Sequence, residues 1–433
     1  MGRLVRADRQ AESRLTAETI FALSSGQPPA AIAVVRISGP QATAALAALT
    51  SVSPPPPRQA GLRRLAYQGD ELDQALVLRF EAGASATGEE LVELHLHGGR
   101  ATVQAVLDAL AALPGLRHAE PGEFTQRALL NGRMDLGEVE GLADLLEAET
   151  EVQRRSALRR AEGGFRQLVE QWRSELLTAS ARLEAAIDFA DEDDVVPFDD
   201  RVAVLDDLAA RIGAVLANPP AERLRDGLRV VIAGPPNSGK SSLINALAGR
   251  PVALVADVAG TTRDRIEAPL KFGGYPFVLT DTAGMRDTED PVEAAGVALA
   301  HAALEEADLV LWLGEPTTLP AGAMQIAARA DLYGGGQGLR ISIKTGEGLD
   351  TLRTRMVEAA QTALGDGLAL STSLRQREHL CDVMTELALA KDADLLLSAE
   401  HLRRARLLLD EASGGSDTEA MLDALFSRFC IGK

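Results

Sequence analysis

An eight-residue motif near the middle of the chain constrains the fold more than any other feature of the sequence. The segment from Gly234 to Ser241 fits G-x-x-x-x-G-K-[ST], and it stands between the apolar run LRVVIAG at 228–234 and the helix-like run SLINALAG at 242–249. In this order of strand, loop and helix, backbone N–H groups and the helix N-terminus surround phosphates. We therefore expect Lys240 to contact the β- and γ-phosphates and the Ser241 hydroxyl to bind Mg²⁺.

Two segments after this loop have the features of a nucleotide-dependent switch. Asp281-Thr-Ala-Gly284 follows the run YPFVLT, which places an acid at a strand end near Mg²⁺ and a glycine amide near the γ-phosphate. Between the glycine-rich loop and Asp281, the segment GTTRD at 260–264 offers two threonine hydroxyl groups. A loop of this kind becomes ordered when it contacts Mg²⁺ and the γ-phosphate. The order and spacing of the motifs predict nucleotide hydrolysis with Lys240 and Asp281 in the catalytic set.

The composition favours helices and α/β sheets. Of the 433 residues, 46% are hydrophobic but only 3% aromatic, an aliphatic balance that is unlike that of β-sandwiches. No run approaches the roughly 18 apolar residues of a membrane span, and the first residues lack the apolar region of a secretory signal. We expect a cytoplasmic protein of two or three domains with no membrane association.

The charge limits how the chain can contact nucleic acid. A formal charge of −19 argues against broad coating of RNA or DNA, which requires lysine and arginine facing phosphates. Any RNA must then be held by a local patch or through a partner. One basic cluster could form such a patch or simply a solvated helix face: Arg154, Arg155, Arg159 and Arg160.

Changes in periodicity along the chain predict its domain organisation. Short apolar runs such as AAIAVVRI and LVELHL alternate with turns early in the chain, whereas helical spacing begins near residue 135 and returns after the α/β unit. The expected fold class is multidomain α/β plus α, with a P-loop domain inserted into a helical domain. The predicted segments are a disordered extension at 1–16, a small α+β domain at 17–134, helical parts at 135–224 and 365–433, and the P-loop domain at 225–364.

These motifs together resemble a known family. GPPNSGKSSLINALAG, AGTTRD and DTAG look like the translation-factor-related GTPases that include Era, EngA and MnmE. Outside the P-loop domain, AEPGEFTQRA at 119–128, LLNGRMDLGEVEGLADLL directly after it and the terminal FCIGK at 429–433 resemble the MnmE family of tRNA wobble-uridine modification GTPases. The resemblance covers about residues 17–433 and is weakest between 315 and 340.

The resemblance implies GTP hydrolysis that uses K⁺ in place of an arginine finger, since a cation bridging the phosphates neutralises the charge that develops there. It implies these ligands for K⁺: Asn237, Ala256, Val258 and Thr261. For Mg²⁺ it implies Ser241 and the switch residue Thr262.

The residue that positions the attacking water differs from that of Ras-like enzymes. Met285 stands where those enzymes carry a glutamine, and Glu293 matches the glutamate to which the family assigns this role, although a helix start also favours a glutamate. The implied contacts to GTP are Asn237, Ser238, Gly239, Lys240, Ser241, Ser242, Ala256, Asp257, Val258, Ala259, Gly260, Thr261, Thr262, Asp281, Thr282, Ala283, Gly284, Asp331, Ser342, Ile343 and Lys344.

For the N-terminal domain the resemblance implies homodimerisation and a tetrahydrofolate derivative, 5-formyl or 5,10-methylene, as the presumed one-carbon donor. The matching residues are Arg36, Glu93, Arg133 and Lys433. Basic groups suit the glutamate tail of folate, and a carboxylate can pair with the donor edge of the pterin. The resemblance also implies tRNA as substrate and an FAD-dependent MnmG-like partner in a heterotetramer or larger complex. It leaves open which tRNAs are modified and whether ammonium or glycine supplies nitrogen.

The sequence departs from the pattern at the guanine-binding motif. Where guanine-specific GTPases carry Asn-Lys-x-Asp, this chain has Ala328-Arg329-Ala330-Asp331. The acceptor Asp331 is present, so we expect guanine preference with an affinity weakened about ten- to a hundredfold.

Two other functions stay open. A ribosome-assembly switch of the Era or EngA type predicts an RNA-binding module that the sequence lacks, and a folate-binding scaffold without hydrolysis conflicts with the intact Lys240 and Asp281. Two side-chain roles are also open. We expect Cys430 to be packed rather than nucleophilic, and His95 and His97 lack an evident third ligand for a metal.

Overall fold

The structure is a computed structural model that describes residues 18–188, 200–235, 237–249, 267–281, 304–315, 320–332, 337–414 and 419–433. The chain forms two compact units. One comprises the residues up to Ala143 together with Gly414–Lys433, and the other comprises Asp144–Ser413. The predicted disordered extension lies outside the described residues, and the predicted domain boundaries stay predictions.

The regular elements are as follows. The strands are β1 (Thr19–Leu23), β2 (Ile32–Ser38), β3 (Gly61–Tyr67), β4 (Asp70–Phe80), β5 (Leu91–His97), β6 (Leu116–His118), β7 (Leu228–Ala233), β8 (Glu267–Phe272), β9 (Tyr275–Asp281), β10 (Leu309–Trp312), β11 (Met324–Ala328) and β12 (Leu339–Ile341). The helices are α1 (Ala42–Leu49), α2 (Arg100–Ala111), α3 (Glu123–Leu130), α4 (Leu136–Glu147), α5 (Glu151–Ala161), α6 (Gly164–Asp188), α7 (Arg201–Leu216), α8 (Ala221–Asp226), α9 (Lys240–Ala248), α10 (Leu349–Leu364), α11 (Leu374–Asp392), α12 (Leu395–Ala412) and α13 (Glu419–Phe426).

The first unit is built on a six-stranded sheet in the order β3-β4-β5-β2-β1-β6. All neighbouring strands are antiparallel except β1 and β6. Alternation along β2 explains its packing, because Ala33, Val35 and Ile37 are fully buried on one face, where α1 and α2 cover the sheet. The opposite face of β2 carries Arg36 and is partly open to solvent.

The C-terminal segment packs within this first unit. Phe426 and Phe429 join Leu136 and Val139 in a small apolar core between α4 and the end of the chain. Gly122 precedes α3 with a φ of 73°, and a Cβ there would lie 2.8 Å from the Phe426 carbonyl oxygen. Only glycine combines this backbone angle with so close an approach.

The second unit contains a six-stranded sheet in the order β12-β11-β10-β7-β9-β8. β8 and β9 are antiparallel and the other pairs are parallel, as expected where strand–helix units alternate. Apolar side chains of α9 and α10 pack against this sheet. The carboxyl ends of the parallel strands thus meet at one edge, where α/β proteins bind ligands.

Helices that precede and follow this sheet in the chain share another hydrophobic core. Trp172 on α6 is buried together with Leu205 of α7, Leu380 of α11 and Leu402 of α12. Since α6 and α7 precede the sheet in the chain and α11 and α12 follow it, the α/β domain is inserted into a helical domain. The predicted fold class is confirmed. Within the described residues, no helix is long and apolar enough to cross a membrane.

Candidate functional site

The glycine-rich loop follows β7 and ends at the first residue of α9. Gly239 caps α9 with a φ of 101°, a left-handed conformation that glycine adopts without strain. Lys240 is 6% exposed, and its Nζ donates to the carbonyl oxygens of Gly234 at 2.9 Å and Pro235 at 3.0 Å. The loop therefore holds an ammonium group at the N-terminus of a helix, an arrangement suited to phosphate.

The backbone brings Asp281, the first residue of the second predicted motif, to the same edge of the sheet. β9 ends at Asp281, which lies in register with Ile232 of the neighbouring strand β7. Ile232 precedes Gly234 by two residues, so this acidic residue stands beside the start of the loop. Ser241 follows Lys240 in the first turn of α9. Serine and aspartate, the residue types at this edge of the sheet, are ones that supply oxygen ligands to Mg²⁺.

A cavity of about 330 Å³ lies beside the loop. It is lined by six of the predicted GTP contacts, namely Ser238, Gly239, Ser242, Asp331, Ile343 and Lys344. The buried hydroxyl of Ser342, a seventh, donates to Asp331 Oδ1 at 2.8 Å and fixes the orientation of that carboxylate. The structure thus brings the altered guanine-binding motif, which ends at Asp331, and the segment from Ser342 to Lys344 together around one cavity.

Sequence reasoning missed the apolar wall of this cavity. Leu243, Leu313, Ile326 and Ile341 line it, and all four are at most 7% exposed. They come from the first turn of α9, from the residue after β10, from the middle of β11 and from the end of β12. For Leu313 and Ile341, the position at the carboxyl ends of parallel strands is the signal that could have identified them. An apolar wall with one oriented carboxylate suits a purine ring.

Asn237 and Arg329 connect the glycine-rich loop to this cavity. Both residues have left-handed backbone angles, with φ of 61° and 58°, and Nη2 of Arg329 donates to the Asn237 carbonyl oxygen at 2.9 Å. Arg329 also lines the cavity. Asn237 is exposed, so its amide is accessible to a cation.

The remaining predicted nucleotide and metal residues lie outside the described residues. They are Ala256, Asp257, Val258, Ala259, Gly260, Thr261, Thr262, Thr282, Ala283, Gly284 and Glu293. For Asp281 the structure describes the strand but not the side chain.

In the first unit, two of the predicted folate residues form an ion pair. Arg36 on β2 lies opposite Glu93 on β5, and Glu93 Oε1 accepts from Arg36 Nη2 at 2.9 Å and from Nε at 3.2 Å. The guanidinium of Arg36 also lies 5.6 Å from the centre of the Phe124 ring. Both charged side chains are about one-fifth exposed, so a ligand can reach them.

Of the other two predicted folate residues, one lies in a loop of this unit and the other is the last residue of the chain. Arg133 packs near Gly88, where a Cβ would meet Arg133 Cγ at 3.2 Å. Lys433 follows Gly432, which packs so tightly on β1 that a Cβ would come within 2.1 Å of the Leu23 carbonyl oxygen. Leu23 pairs with Val35, the neighbour of Arg36 in β2. The terminal segment therefore lies against β1, the strand that pairs with β2, which carries Arg36.

A buried charge cluster in the same unit was not predicted. Arg127 is fully buried and donates to Glu89 Oε2 at 2.9 Å and Glu123 Oε1 at 3.0 Å, while Arg117 donates to Glu123 Oε1 at 2.6 Å. Burial alone would raise the pKa of the Glu123 carboxyl, but hydrogen bonds from Arg117, the Glu120 N–H and Arg127 outweigh it and lower that pKa. The spacing of Glu123 and Arg127, four residues apart on a short helix, is the sequence signal that could have predicted this cluster.

The structure describes two features that the sequence left open, the packing of Cys430 and the partners of two histidines. The packing expected for Cys430 is wrong: it is exposed, because Phe429 alone turns into the apolar core. His97 Nδ1 lies 2.7 Å from Asp73 Oδ1, whereas His95 Nε2 lies 3.6 Å from Glu93 Oε2, so the two histidines have different partners.

The basic cluster on α5 is partly paired with acidic side chains, and Arg159 in it is exposed. Arg154 and Arg155 both pair with Glu151, and Arg160 is 5% exposed with its guanidinium against Asp144. These internal pairs leave fewer positive charges for phosphates than the sequence suggests.

Comparisons with known proteins match nearly the whole chain. The family profile of the MnmE helical domain matches residues 136–430, and that of the GTP-binding protein TrmE N-terminus matches residues 19–133. The tRNA modification GTPase MnmE of Erythrobacter litoralis (strain HTCC2594) is 50% identical over 428 residues, covering 96% of this chain and 100% of the relative. The protein of that name from Rhizorhabdus wittichii is 52% identical over 426 residues, covering 96% and 97%.

Among solved structures, the likeness is partial. The G domain of the T. maritima FeoB iron transporter is similar over 31% of this chain and 99% of its own, with 24% sequence identity and a TM-score of 0.23. That score is too low to support a conclusion about function.

Proposed function

The chain belongs to the MnmE family of tRNA modification GTPases, and from that premise we propose that it couples K⁺-dependent GTP hydrolysis to modification of the wobble uridine of tRNA. With an FAD-dependent MnmG-like partner it adds a carboxymethylaminomethyl or aminomethyl group to C5 of that base. The observation that carries the proposal is the buried Lys240 ammonium, held by loop carbonyls beside a cavity with an oriented carboxylate.

The described residues have distinct roles in the hydrolysis step. Lys240 exchanges its two carbonyl partners for phosphate oxygens, and the loop N–H groups and α9 stabilise the same charge. We assign Ser241 and Asp281 to Mg²⁺ and Asn237 to the K⁺ site. Together with Thr262, Ala256, Val258 and Thr261, they complete the proposed metal ligands. When bound, these cations neutralise charge developing on the phosphates, and Glu293 orients the attacking water.

Base selection depends on Asp331. Its carboxylate accepts from the N1 and N2 donors of guanine, while adenine presents an acceptor at N1 and is rejected. Ala328 contributes only a methyl group to the cavity, so the acceptor edge of guanine gains no side-chain hydrogen bond from that position. We propose guanine preference with reduced affinity.

The folate-binding part of the proposal concerns the first unit. Glu93 Oε1 accepts from Arg36, and Oε2, which lies 3.6 Å from His95 Nε2, is the oxygen that would accept from the donor edge of a pterin. Arg133 and Lys433 supply positive charge for the glutamate tail of tetrahydrofolate. Dimerisation would bring two such units together. GTP-dependent closure of the GTPase domains would then transmit the nucleotide state to the modification site in the cytoplasm.

The first experiment compares hydrolysis of GTP by the full chain in K⁺ and in Na⁺ buffer, with ATP as the control nucleotide. We expect turnover that requires K⁺ and prefers GTP. Absence of turnover with either nucleotide would favour a folate-binding scaffold, and turnover indifferent to Na⁺ substitution would remove Asn237 as a K⁺ ligand. Mass spectrometry of wobble uridine in tRNA from cells lacking the gene tests the modification itself.

A further inference from the structure

We propose that three arginines at one edge of the first unit, Arg58, Arg63 and Arg79, form a contact surface for the phosphate backbone of RNA. We call them the edge arginine cluster. The inference rests on the proposed tRNA function and deepens it, because that function does not specify which part of the chain contacts tRNA. The position, the hydrogen-bond partners and the charge of the three side chains support it.

The three arginines lie around a proline-rich segment beside the edge strand β3. Arg63 Nε donates to the Ser53 carbonyl oxygen at 3.1 Å, and Arg79 Nε donates to the Pro55 carbonyl oxygen at 3.3 Å. The backbone N–H of Arg58, the residue after the prolines, donates to the Arg79 carbonyl oxygen at 2.8 Å. Four consecutive prolines have fixed φ angles, so this segment is a stiff support for the guanidinium groups that it binds.

Arg63 and Arg79 lie on the same face of the sheet. Arg63 is opposite Ala75 in the pairing of β3 with β4, and Ala75 and Arg79 are separated by an even number of positions in β4. Because strand side chains alternate, both arginines lie on the face that the helices cover, where they are partly exposed at the margin of the apolar core. Glu93 lies opposite Leu78, the neighbour of Arg79, so the ion pair of the proposed folate site occupies the other face. The cluster is therefore separate from that site.

Acidic side chains do not neutralise the edge arginine cluster at close range. Within the part of the chain that the structure describes, no carboxylate oxygen lies within 4.0 Å of a side-chain nitrogen of its three members. By contrast, Arg154 and Arg155 on α5 both pair with Glu151. In a chain of formal charge −19, three cations without a carboxylate partner form the local positive surface that contact with phosphates requires.

The hydrogen bonds of the cluster leave donors for phosphate oxygens. Among the described contacts, Arg79 donates through Nε alone and Arg63 through Nε and Nη1, while the Arg58 side chain is exposed. A guanidinium has five N–H donors in a planar fork that matches two oxygens of a phosphate. The carbonyl oxygens bound to Nε fix the direction of two of these forks. Such contacts bind the backbone of RNA irrespective of base sequence.

The experiment measures binding of the full chain to a fluorescein-labelled, unmodified tRNA transcript by anisotropy over a series of salt concentrations. The variants are Arg79→Gln, Arg58→Gly and a triple variant that changes all three arginines to glutamine. Arg58 has a φ of 59°, a left-handed angle that glycine adopts at lower cost, so Arg58→Gly removes the charge while it relieves the backbone. Arg403→Gln is the matched control, because Arg403 is 58% exposed but pairs with Glu400 at 2.8 Å.

We expect Arg58→Gly and Arg79→Gln each to weaken tRNA binding about three- to tenfold, the effect of losing one charged hydrogen-bond donor. The triple variant should reduce the slope of log affinity against log salt concentration by roughly 2–3, because three phosphate contacts are lost. Two tRNAs of different sequence should lose affinity equally. Arg403→Gln should bind as the unsubstituted chain does, and Arg58→Gly should keep its unfolding temperature.

Three results would overturn the inference. The first is equal tRNA affinity of the triple variant and the unsubstituted chain. The second is unchanged tRNA binding with weakened binding of a polyglutamylated tetrahydrofolate, which would identify the cluster as a site for the glutamate tail. The third is the absence of tRNA binding by the unsubstituted chain. The proposed function fails separately, if the wobble uridine of tRNA remains modified in cells lacking the gene.

Discussion

The buried charge cluster of the first unit and the nucleotide site of the second provide different hydrogen-bond partners for their positively charged side chains. In the cluster, Arg127 is enclosed by the carboxylates of Glu123 and Glu89, and all three side chains are at most 11% exposed. In the nucleotide site, Lys240 and Arg329 donate to main-chain carbonyl oxygens. The first arrangement pairs opposite full charges, whereas the second pairs a full charge with a dipole.

The difference separates structural charges from exchangeable ones. A carboxylate that loses its partner in a buried site retains an uncompensated charge, so removing either member is costly to folding. A carbonyl oxygen that loses an ammonium retains its backbone role and can be reached by water. Lys240 can therefore leave its carbonyls for phosphate, and substitutions should affect stability in the first unit but ligand chemistry in the second.

The largest effect is expected for Arg127→Met. This change leaves Glu123 and Glu89 without their shared cation and should lower the opening free energy of the first unit by about 3–5 kcal/mol. Hydrogen exchange of peptides from β2 and β5 in the full chain measures it. Arg64→Met is the control, because Arg64 is 76% exposed and should change that free energy by less than about 0.5 kcal/mol. A loss below about 1 kcal/mol for Arg127→Met would show that water replaces the guanidinium.

Lys240→Ala should show the opposite profile. We expect GTP hydrolysis to fall about 10²–10³-fold, because a charge-stabilising donor at the phosphates is lost. The free energy of unfolding should change by less than about 1 kcal/mol, since Pro235 and Gly234 are accessible to water. Steady-state kinetics and calorimetry of the full chain measure the two quantities, with the exposed Lys271→Ala as control. A marked loss of stability would contradict the distinction between exchangeable and structural charges.

Acid should weaken the first unit through Glu123. The pKa of this carboxyl is lowered in the folded chain, so its stabilisation is complete above the ordinary value of 4.5 and is lost as pH falls through the folded-state pKa. The effect should be smaller than that of Arg127→Met, because a protonated carboxyl stays in place. Hydrogen exchange of β1 and β2 peptides between pH 6 and pH 3 tests it. Glu123→Gln should remove most of this pH dependence, and an unchanged slope would exclude Glu123 as its source.

The same distinction explains what the sequence could and could not predict. The strands at 30–37, 75–80 and 91–96 and the P-loop were predictable because local alternation and a short motif specify them. The Arg127 cluster was not, because Glu89 and Arg127 are 38 residues apart and meet only through the folded sheet. Cys430 was misjudged for a related reason: its two apolar neighbours diverge, with Phe429 buried and Ile431 58% exposed.

In the nucleotide site, the sequence predicted the polar contacts but not the cavity that they line. Ser238 and Ser242 belong to the glycine-rich loop and the helix turn after it, whereas Asp331 belongs to a separate motif, and the order of the motifs predicted that they meet at one edge of the sheet. The bond from Arg329 to Asn237 depends on loop conformations after β7 and β11, including two left-handed residues that no sequence pattern marks. The apolar wall combines residues of α9 and of three strand segments that only the folded sheet brings together. The sequence thus predicted polar residues that belong to short motifs, but not contacts between residues that meet only in the folded chain.

The smallest effect, Ala328→Asn, tests whether the base cavity can gain a contact. Ala328 lines the cavity, and an asparagine amide there could donate to the O6 and N7 acceptors of guanine. One such bond is worth about 1 kcal/mol, so the dissociation constant of GTP should fall roughly fivefold. The 7-deaza analogue of GTP, which lacks the N7 acceptor, serves as the matched ligand and should gain less. Equal gains for both nucleotides would show that the new side chain packs against the base, and weaker binding of both would show that the cavity has no space for it.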